Sequence, residues 1–402
     1  MARRYPRGKV LGGSSNNEMT FVRGRRGGYD EWAASGAAGW GYVDLLPFFK
    51  HSEATERGDR AYRGSQGPMR VAPARHGSPL SYAFLEAAVR AGYERSDDLN
   101  GQDQEGICWP DLNIVDESRQ SAADAYLRPV LDRPNLAVVT DALVHRLVVA
   151  DGRCAGVEYS AGGEVRQVPP QAETILSAGS IGSAQLLMLS GIGPAEHLRA
   201  VGVDLVADLP GVGANLHDHP LAGVIYTAAR PIPAGQNNHG EVLAAVRSTA
   251  GLSAPDIQVF LIDVPFHPPW LTGPAAGYTI AFTTLHPHSR GSVRLAGADP
   301  WSAPLIDPNY FGDDRDVAKM LIAIRMPARS AAHRHSTTGA PTRHYLGRTC
   351  RTRPSLASIC GVTPTRTTTQ LAPAGSAPIR QRSSTRNCAC MALTGCVSRT
   401  RP

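Results

Sequence analysis

Residues 8–20 concentrate groups suited to holding a nucleotide or a flat heterocycle. Gly8-Lys9-Val10-Leu11-Gly12-Gly13-Ser14-Ser15-Asn16-Asn17 is followed by Phe21 and Gly24. Adjacent glycines let backbone N–H groups approach a ligand closely, and the hydroxyls and the Asn17 amide can bond a phosphate, a ribose or a ring edge. On its own, Gly-Gly-Ser-Ser also reads as an ordinary glycine turn. Two other groups, Gly191-Ile192-Gly193 and Gly211-Val212-Gly213, fail the dinucleotide fingerprint, which needs a strand, Gly-x-Gly-x-x-Gly, and then a helix N-terminus on the pyrophosphate. The first follows a helical segment, and the second has Leu216 where the third glycine belongs.

His219, beside Asp218, and His286 and His288, in a His-Pro-His loop, are read as structural hydrogen-bonding groups, so no catalytic residue is assigned. Cys350, Cys360, Cys388 and Cys390 lack paired Cys-x-x-Cys spacing, and no metal site is expected. Basic and aromatic residues do not interleave as they would for stacking on bases, which excludes a nucleic-acid partner.

The elements that would carry these groups follow from periodicity. Leu136 to Thr140, Leu143 to Val149, Gly156 to Tyr159 and Thr174 to Leu176 alternate as short strands, divided by Asp-Gly and Gly-Gly turns, and predict a meander. Ser180 to Leu189 is apolar at helical spacing and is closed by Ser190-Gly191-Ile192-Gly193-Pro194. Asp256 to Leu261, Tyr278 to Leu285 and Gly291 to Leu295 are rich in β-branched and aromatic residues, and predict an antiparallel sheet.

Gly8 through Asp30 resembles the first signature of the glucose-methanol-choline family of FAD-dependent oxidoreductases. Arg7-Gly8-Lys9-Val10-Leu11-Gly12-Gly13-Ser14-Ser15 carries its most specific part. Gly179 to Leu187, ending in Ser190-Gly191-Ile192-Gly193, resembles the second signature and departs from it at Ala184. Ser121 to Leu127, Gly211 to Pro220, Ser289 to Leu295 and Ile306 to Tyr310 also look like family segments, with His217 standing where Gln is usual. The resemblance covers about residues 6 to 326.

It implies an α/β plus α+β fold, with part of an FAD-binding domain interleaved with an antiparallel-sheet substrate domain and the flavin between them. Residues 1–230 would be the FAD-binding part, without its first βαβ unit and its pyrophosphate fingerprint, and with interleaved cap segments. Residues 231–326 would be the substrate sheet. Carried over, Val10, Gly12, Gly13, Ser14, Asn17, Glu18, Met19 and Thr20 would face the flavin, and the Val144 backbone would meet its adenine end. The implied reaction is oxidation of a small alcohol, choline among the candidates, to an aldehyde or ketone.

Beyond Met326 the composition changes. Residues 327–402 hold twelve Arg, thirteen Thr and five Cys but no Lys, Asp or Glu, leaving 29 basic against 35 acidic residues before them. Disorder is the expectation for this tail. The family's catalytic acid/base is a His in a His-Pro-x-Gly-Thr-Cys run, which the tail lacks. Thr367 to Ala374 can nevertheless be encoded so that a shifted frame reads His-His-Pro-Ile-Gly-Thr-Cys, and three further tail segments give family runs in the same frame. The expectation is a frameshift near Met326 or Pro327 and a chain defective in turnover, the alternative being a non-catalytic ligand-binding remnant. No run of eighteen apolar residues and no leader is seen, so a cytoplasmic location is expected.

Overall fold

A computed structural model describes residues 5–17, 20–228, 231–233, 235–267 and 273–326, and the backbone of 343–344. The rest of the tail, including the segments expected to be disordered, lies outside the described residues. Among the described residues six α-helices are formed: α1 (Arg26–Ala34), α2 (Tyr42–Ser52), α3 (Pro79–Arg90), α4 (Gly179–Leu189), α5 (Ala195–Ala200) and α6 (Asp314–Ala323). The principal strands are β1 (Gly106–Cys108), β2 (Ala142–Ala150), β3 (Arg153–Ala161), β4 (Glu164–Val168), β5 (Leu221–Thr227), β6 (Leu243–Val246), β7 (Ile257–Ile262), β8 (Gly277–Thr284) and β9 (Arg343–His344).

The large sheet has the order β9-β5-β8-β7-β6-β1 and is antiparallel throughout. Every residue of β8 is buried, as expected of a central strand covered on both faces. On one face Tyr278, Ile280 and Phe282 pack with Phe84 and Leu85 of α3 and with Met320 and Ala323 of α6. Burial of each such side chain contributes about 2 kcal/mol. Both helices start where their sequences say. Ser78 Oγ accepts from Ser81 N with Pro79 in the first turn, and the Asp313 carboxylate accepts from Arg315 N.

The predicted meander is shorter than expected. β2 and β3 turn at Asp151-Gly152 and β3 and β4 at Gly162-Gly163, all four at positive φ, as two-residue hairpins require. Leu136 to Thr140 and Thr174 to Leu176 form no strands, because no neighbouring backbone pairs with them among the described residues. Glu164–Val168, which was not predicted, supplies the third strand. Gly291 to Leu295, placed by periodicity in the antiparallel sheet, instead contributes Ser292–Arg294 to a separate ribbon with Leu305–Asp307. Helix α4 matches its prediction and packs on β2, with Leu186, Leu187 and Met188 in a second core beside Leu147, Val293 and Leu295. Ser190 closes it, its Oγ accepting from Leu147 N at 2.8 Å. Gly191 follows at φ 79°, where a side chain would overlap the Asp204 carbonyl. Parallel pairing among the described residues is confined to two two-residue ribbons and one isolated bridge, Arg95 with Ile107.

A buried network of charges ties the first hundred residues together. Glu53 Oε1 accepts from Arg23 Nη2 (2.6 Å), Arg63 Nε (2.9 Å) and Gly64 N (2.8 Å). Arg63 also donates to Asp98 (2.7 Å) and Asp111 (2.6 Å), and Asp111 accepts from Arg57 Nε (2.9 Å). Burial works against the Arg63 charge, but Glu53, Asp98 and Asp111 outweigh it and raise its pKa. Three guanidiniums thus face three carboxylates. Arg63→Ala strips Asp98 of its guanidinium and leaves Glu53 with Arg23 alone and Asp111 with Arg57 alone, three carboxylates against two guanidiniums, and is expected to cost about 3–5 kcal/mol of unfolding free energy. Urea denaturation of the variant beside the parent checks this, and a loss below about 1 kcal/mol would refute it.

Candidate functional site

The glycine loop is a tightly stapled turn. Gly8 N donates to Ser14 Oγ, Gly13 N to Val10 O, and Asn17 N to Ser14 O. Asn16 Nδ2 donates to the carbonyls of Leu11 and Gly13. Ser15 joins it to the next segment, its Oγ donating to Gly12 O and accepting from Ala122 N at 2.8 Å. Gly12 and Gly13 have φ of 88° and 57°, so the turn itself requires glycine here. At Gly13 an added methyl would meet open space, whereas at Gly12 it would press on Ala123 N and Ser121 Oγ. Val10 and Leu11 stand out of this turn 61% and 50% exposed, two apolar side chains on a fixed backbone.

Of the residues expected at a cofactor, Val10, Gly12, Gly13, Ser14 and Asn17 share this turn. Thr20 opens the short strand that follows, paired with Leu112. Glu18 and Met19 lie outside the described residues. Val144 is partly exposed on β2, opposite Tyr159 in the separate three-stranded sheet.

Sequence reasoning missed a neighbour of Thr20. Asn238 Nδ2 donates to Thr20 Oγ1 at 3.3 Å, and the next residue, His239, holds its Nδ1 2.5 Å from Asp263 Oδ1. Asp263 is buried while the imidazole is about half exposed, an arrangement that orients a ring for proton transfer. The residues are 24 apart in the sequence and carry no motif, so only the fold reveals the pair.

Val22, Arg23 and Gly24 lead from this strand into a cavity of about 480 Å³. Its other walls come from α1, from β6 and β7, and from two loops, 215–219 and 285–290. The loops are zipped together, Leu216 N donating to Gly291 O and Gly291 N to Leu216 O. Asp316 of α6 anchors the second by accepting from His288 N, Ser289 N and Ser289 Oγ at 2.6–2.7 Å. Asp218 anchors the first, accepting from Tyr5 OH at 2.6 Å and Tyr310 OH at 2.8 Å.

Those anchors bring His217, His219, His286 and His288 to one cavity. Burial lowers the pKa of all four, assisted by Arg25 and Lys319 at His286 and by Arg290 at His217. His219 is pushed down to about 4 and His286 to about 3. The imidazoles are therefore neutral at pH 7. Asn215 and His286 sit at φ 57° and 62°, left-handed positions that cost energy for residues with side chains.

Residues 2–221 match the family model described as GMC oxidoreductase, N-terminal part, and residues 287–385 match its C-terminal counterpart. The oxygen-dependent choline dehydrogenase of Brucella ovis is 40% identical over 349 residues, covering 80% of this chain and 63% of the relative. That of Rhizobium etli is 38% identical with the same shares. The chain thus spans 63% of the length of these curated relatives. Among solved structures, pyridoxine 4-oxidase from Mesorbium loti superposes with a TM-score of 0.81 at 32% identity, covering 88% of this chain and 70% of the other. A fungal aryl-alcohol oxidase gives 0.72 at 23% identity, covering 85% and 72%, a likeness of fold.

The histidine cavity predicts an acid-sensitive fold. A histidine with a depressed folded pKa has no effect on stability above its unfolded pKa of about 6.5, where both states are neutral. As pH falls below that value the unfolded chain takes up protons that the folded chain refuses, so stability drops until the folded pKa is reached. His219 and His286 should each remove up to about 1.4 kcal/mol per pH unit between pH 6 and pH 4. Denaturant melts across that range check the slope, and a stability that is flat from pH 7 to pH 4.5 would contradict it.

Proposed function

Because this chain belongs to the glucose-methanol-choline oxidoreductases, a family of FAD-dependent enzymes, we propose that its fold is that of a choline-dehydrogenase-like alcohol oxidiser, cytoplasmic, and defective in turnover as encoded. The observation that carries the first half is the stapled glycine loop with its two exposed apolar side chains.

The residues at this loop suit the ring end of a flavin. Val10 and Leu11 offer an uncovered apolar edge on a backbone that cannot collapse over it, and Gly13 leaves room for a close approach. In this reading Val10, Gly12, Gly13, Ser14, Asn17, Glu18, Met19 and Thr20 hold the ring, and the Val144 backbone holds the adenine end. When bound, the flavin supplies a hydride acceptor for the carbinol carbon. The chain's own part is to orient the alcohol, exclude water and take the hydroxyl proton.

That proton step is where the chain falls short. Residues 327–402 contain no His-Pro-x-Gly-Thr-Cys run, and losing a positioned acid/base costs about 10²–10⁴-fold in rate. We attribute the loss to a shift of reading frame near Met326 or Pro327. The C-terminal family match extends to residue 385, past that point, without supplying the run. A second reading, a non-catalytic ligand-binding remnant, draws on the cavity, whose loops are anchored by Asp316 and Asp218.

Purification of the chain as encoded is expected to give a protein with little flavin absorbance and no alcohol-dependent reduction of a dye acceptor. Resequencing codons 324–330 should show the displaced base. A stoichiometrically yellow preparation that oxidises choline or an aryl alcohol would overturn the defect, and an unshifted gene would remove its stated cause.

A further inference from the structure

We infer that the histidine-lined cavity is a binding site for a small organic anion, a carboxylate on a compact apolar body, and that it excludes quaternary ammonium ligands. The first support is charge. Arg23, Arg25 and Arg290 line the cavity against one carboxylate, Glu31. Arg23 is paired with Glu53, and Arg25 with Glu31 at 2.6 Å. Arg290 forms no ion pair among the described residues, its Nη1 donating only to the carbonyls of Pro287 and Ser289. One positive charge is therefore left over at the cavity wall.

The second support is a set of donors without acceptors. The Nε–H groups of Arg23 and Arg25 are sheltered from solvent and have no hydrogen-bond partner among the described residues. The Arg23 side chain is only 5% exposed, so solvent does not relieve the deficit. A buried guanidinium N–H without an acceptor is costly, and an anion is the ligand that relieves it. The histidines favour the same ligand. Held neutral, they add no charge of their own; His217 spends its N–H on the Asn215 carbonyl at 2.7 Å, and a nearby anion would raise the pKa of His286 and His219 and strengthen the contact.

The third support is the rest of the lining. Trp32, Leu99, Leu243, Ala245 and Leu285 supply an apolar wall, and the volume suits one small ring system. A trimethylammonium group would meet the unpaired charge of Arg290, so aromatic attraction from Trp32 does not compensate. Among the described residues, the walls of the cavity include none of those assigned to the flavin.

Calorimetric titration of the full chain with benzoate, benzyl alcohol and choline tests this, with Trp fluorescence as a second readout. Benzoate is expected to bind at least about tenfold more tightly than benzyl alcohol, and choline not to bind measurably. Arg290→Gln and Arg25→Gln are each expected to weaken benzoate about tenfold or more while leaving the benzyl alcohol affinity unchanged. Equal affinity for benzoate and benzyl alcohol, tight choline binding, absence of benzoate binding, or unchanged benzoate affinity in both folded variants would overturn the inference. If a variant fails to fold, the ligand series on the parent chain decides. Flavin content enters none of these outcomes, so a failure here leaves the flavin reading standing, and the reverse.

Discussion

Everything near the functional surface hangs on the buried pairing of Arg63 with Glu53, Asp98 and Asp111. Isolated charges do not survive in a protein interior, because the attraction of one partner rarely repays the desolvation of two. Here the balance is reached by numbers and by hydrogen bonds. Three guanidiniums face three carboxylates, and Gly64 N and the Asn100 amide take further lone pairs, while Asp98 Oδ2 has no hydrogen-bond partner among the described residues. Gly64 is obligatory at this point, since a side chain there would overlap the Lys50 carbonyl. The network joins the end of α2, the loop around residue 60, the stretch at 98–100 and the strand containing Asp111. Those segments share no local sequence pattern, and the charges supply the register that apolar packing would otherwise provide.

The consequence for the site is direct. Arg23 is both a member of this network and a wall of the cavity, and its N–H donates to Asn100 Oδ1 at 2.6 Å. The chain therefore leaves the glycine loop, crosses the network, and emerges at Gly24 in a fixed direction. On the opposite wall, two strained residues, Asn215 and His286, are held by backbone zipping at Leu216 and Gly291 and by the carboxylates of Asp218 and Asp316. Strain of this kind persists only where the surroundings over-determine it. A rigid cavity with unspent hydrogen-bond donors results, which is a different object from a gap left by poor packing.

How much of this could be read in the sequence depends on the range of the forces involved. Helix α4 was legible because its apolar spacing and its Ser-Gly stop lie within a dozen residues. The turns at Asp151-Gly152 and Gly162-Gly163 were legible because turn chemistry is local, although the strand after the second was not. The glycine loop was legible through its resemblance to a family signature, and its hydrogen bonds within 8–17 fit that reading. The charge network was not, because Arg63 and Asp111 are 48 residues apart and nothing in either neighbourhood announces the other. The histidine cavity was hidden for the same reason, and His217 and His286 drew attention singly rather than as one wall. His239 and Asp263 meet only because β6 and β7 are neighbours in the large sheet.

The segments 136–140 and 174–176 show the converse limit. Their alternation is that of strands, but a strand is a relation between two backbones, and a segment with the right side chains and no partner stays extended and unpaired. Val139 and Ile175 are left 55% and 68% exposed as a result. Side-chain pattern decides which face of a strand is buried once pairing exists; it does not create the pairing. The central strand β8 makes the point from the other side: all of its residues are buried because β5 and β7 flank it and helices cover it, although its own sequence, Gly277 to Thr284, contains three threonines that would be equally content at an edge. Stability should accordingly be lowest around 136–140 and 174–176 and highest at β8, a gradient set by the supply of neighbours rather than by local propensity.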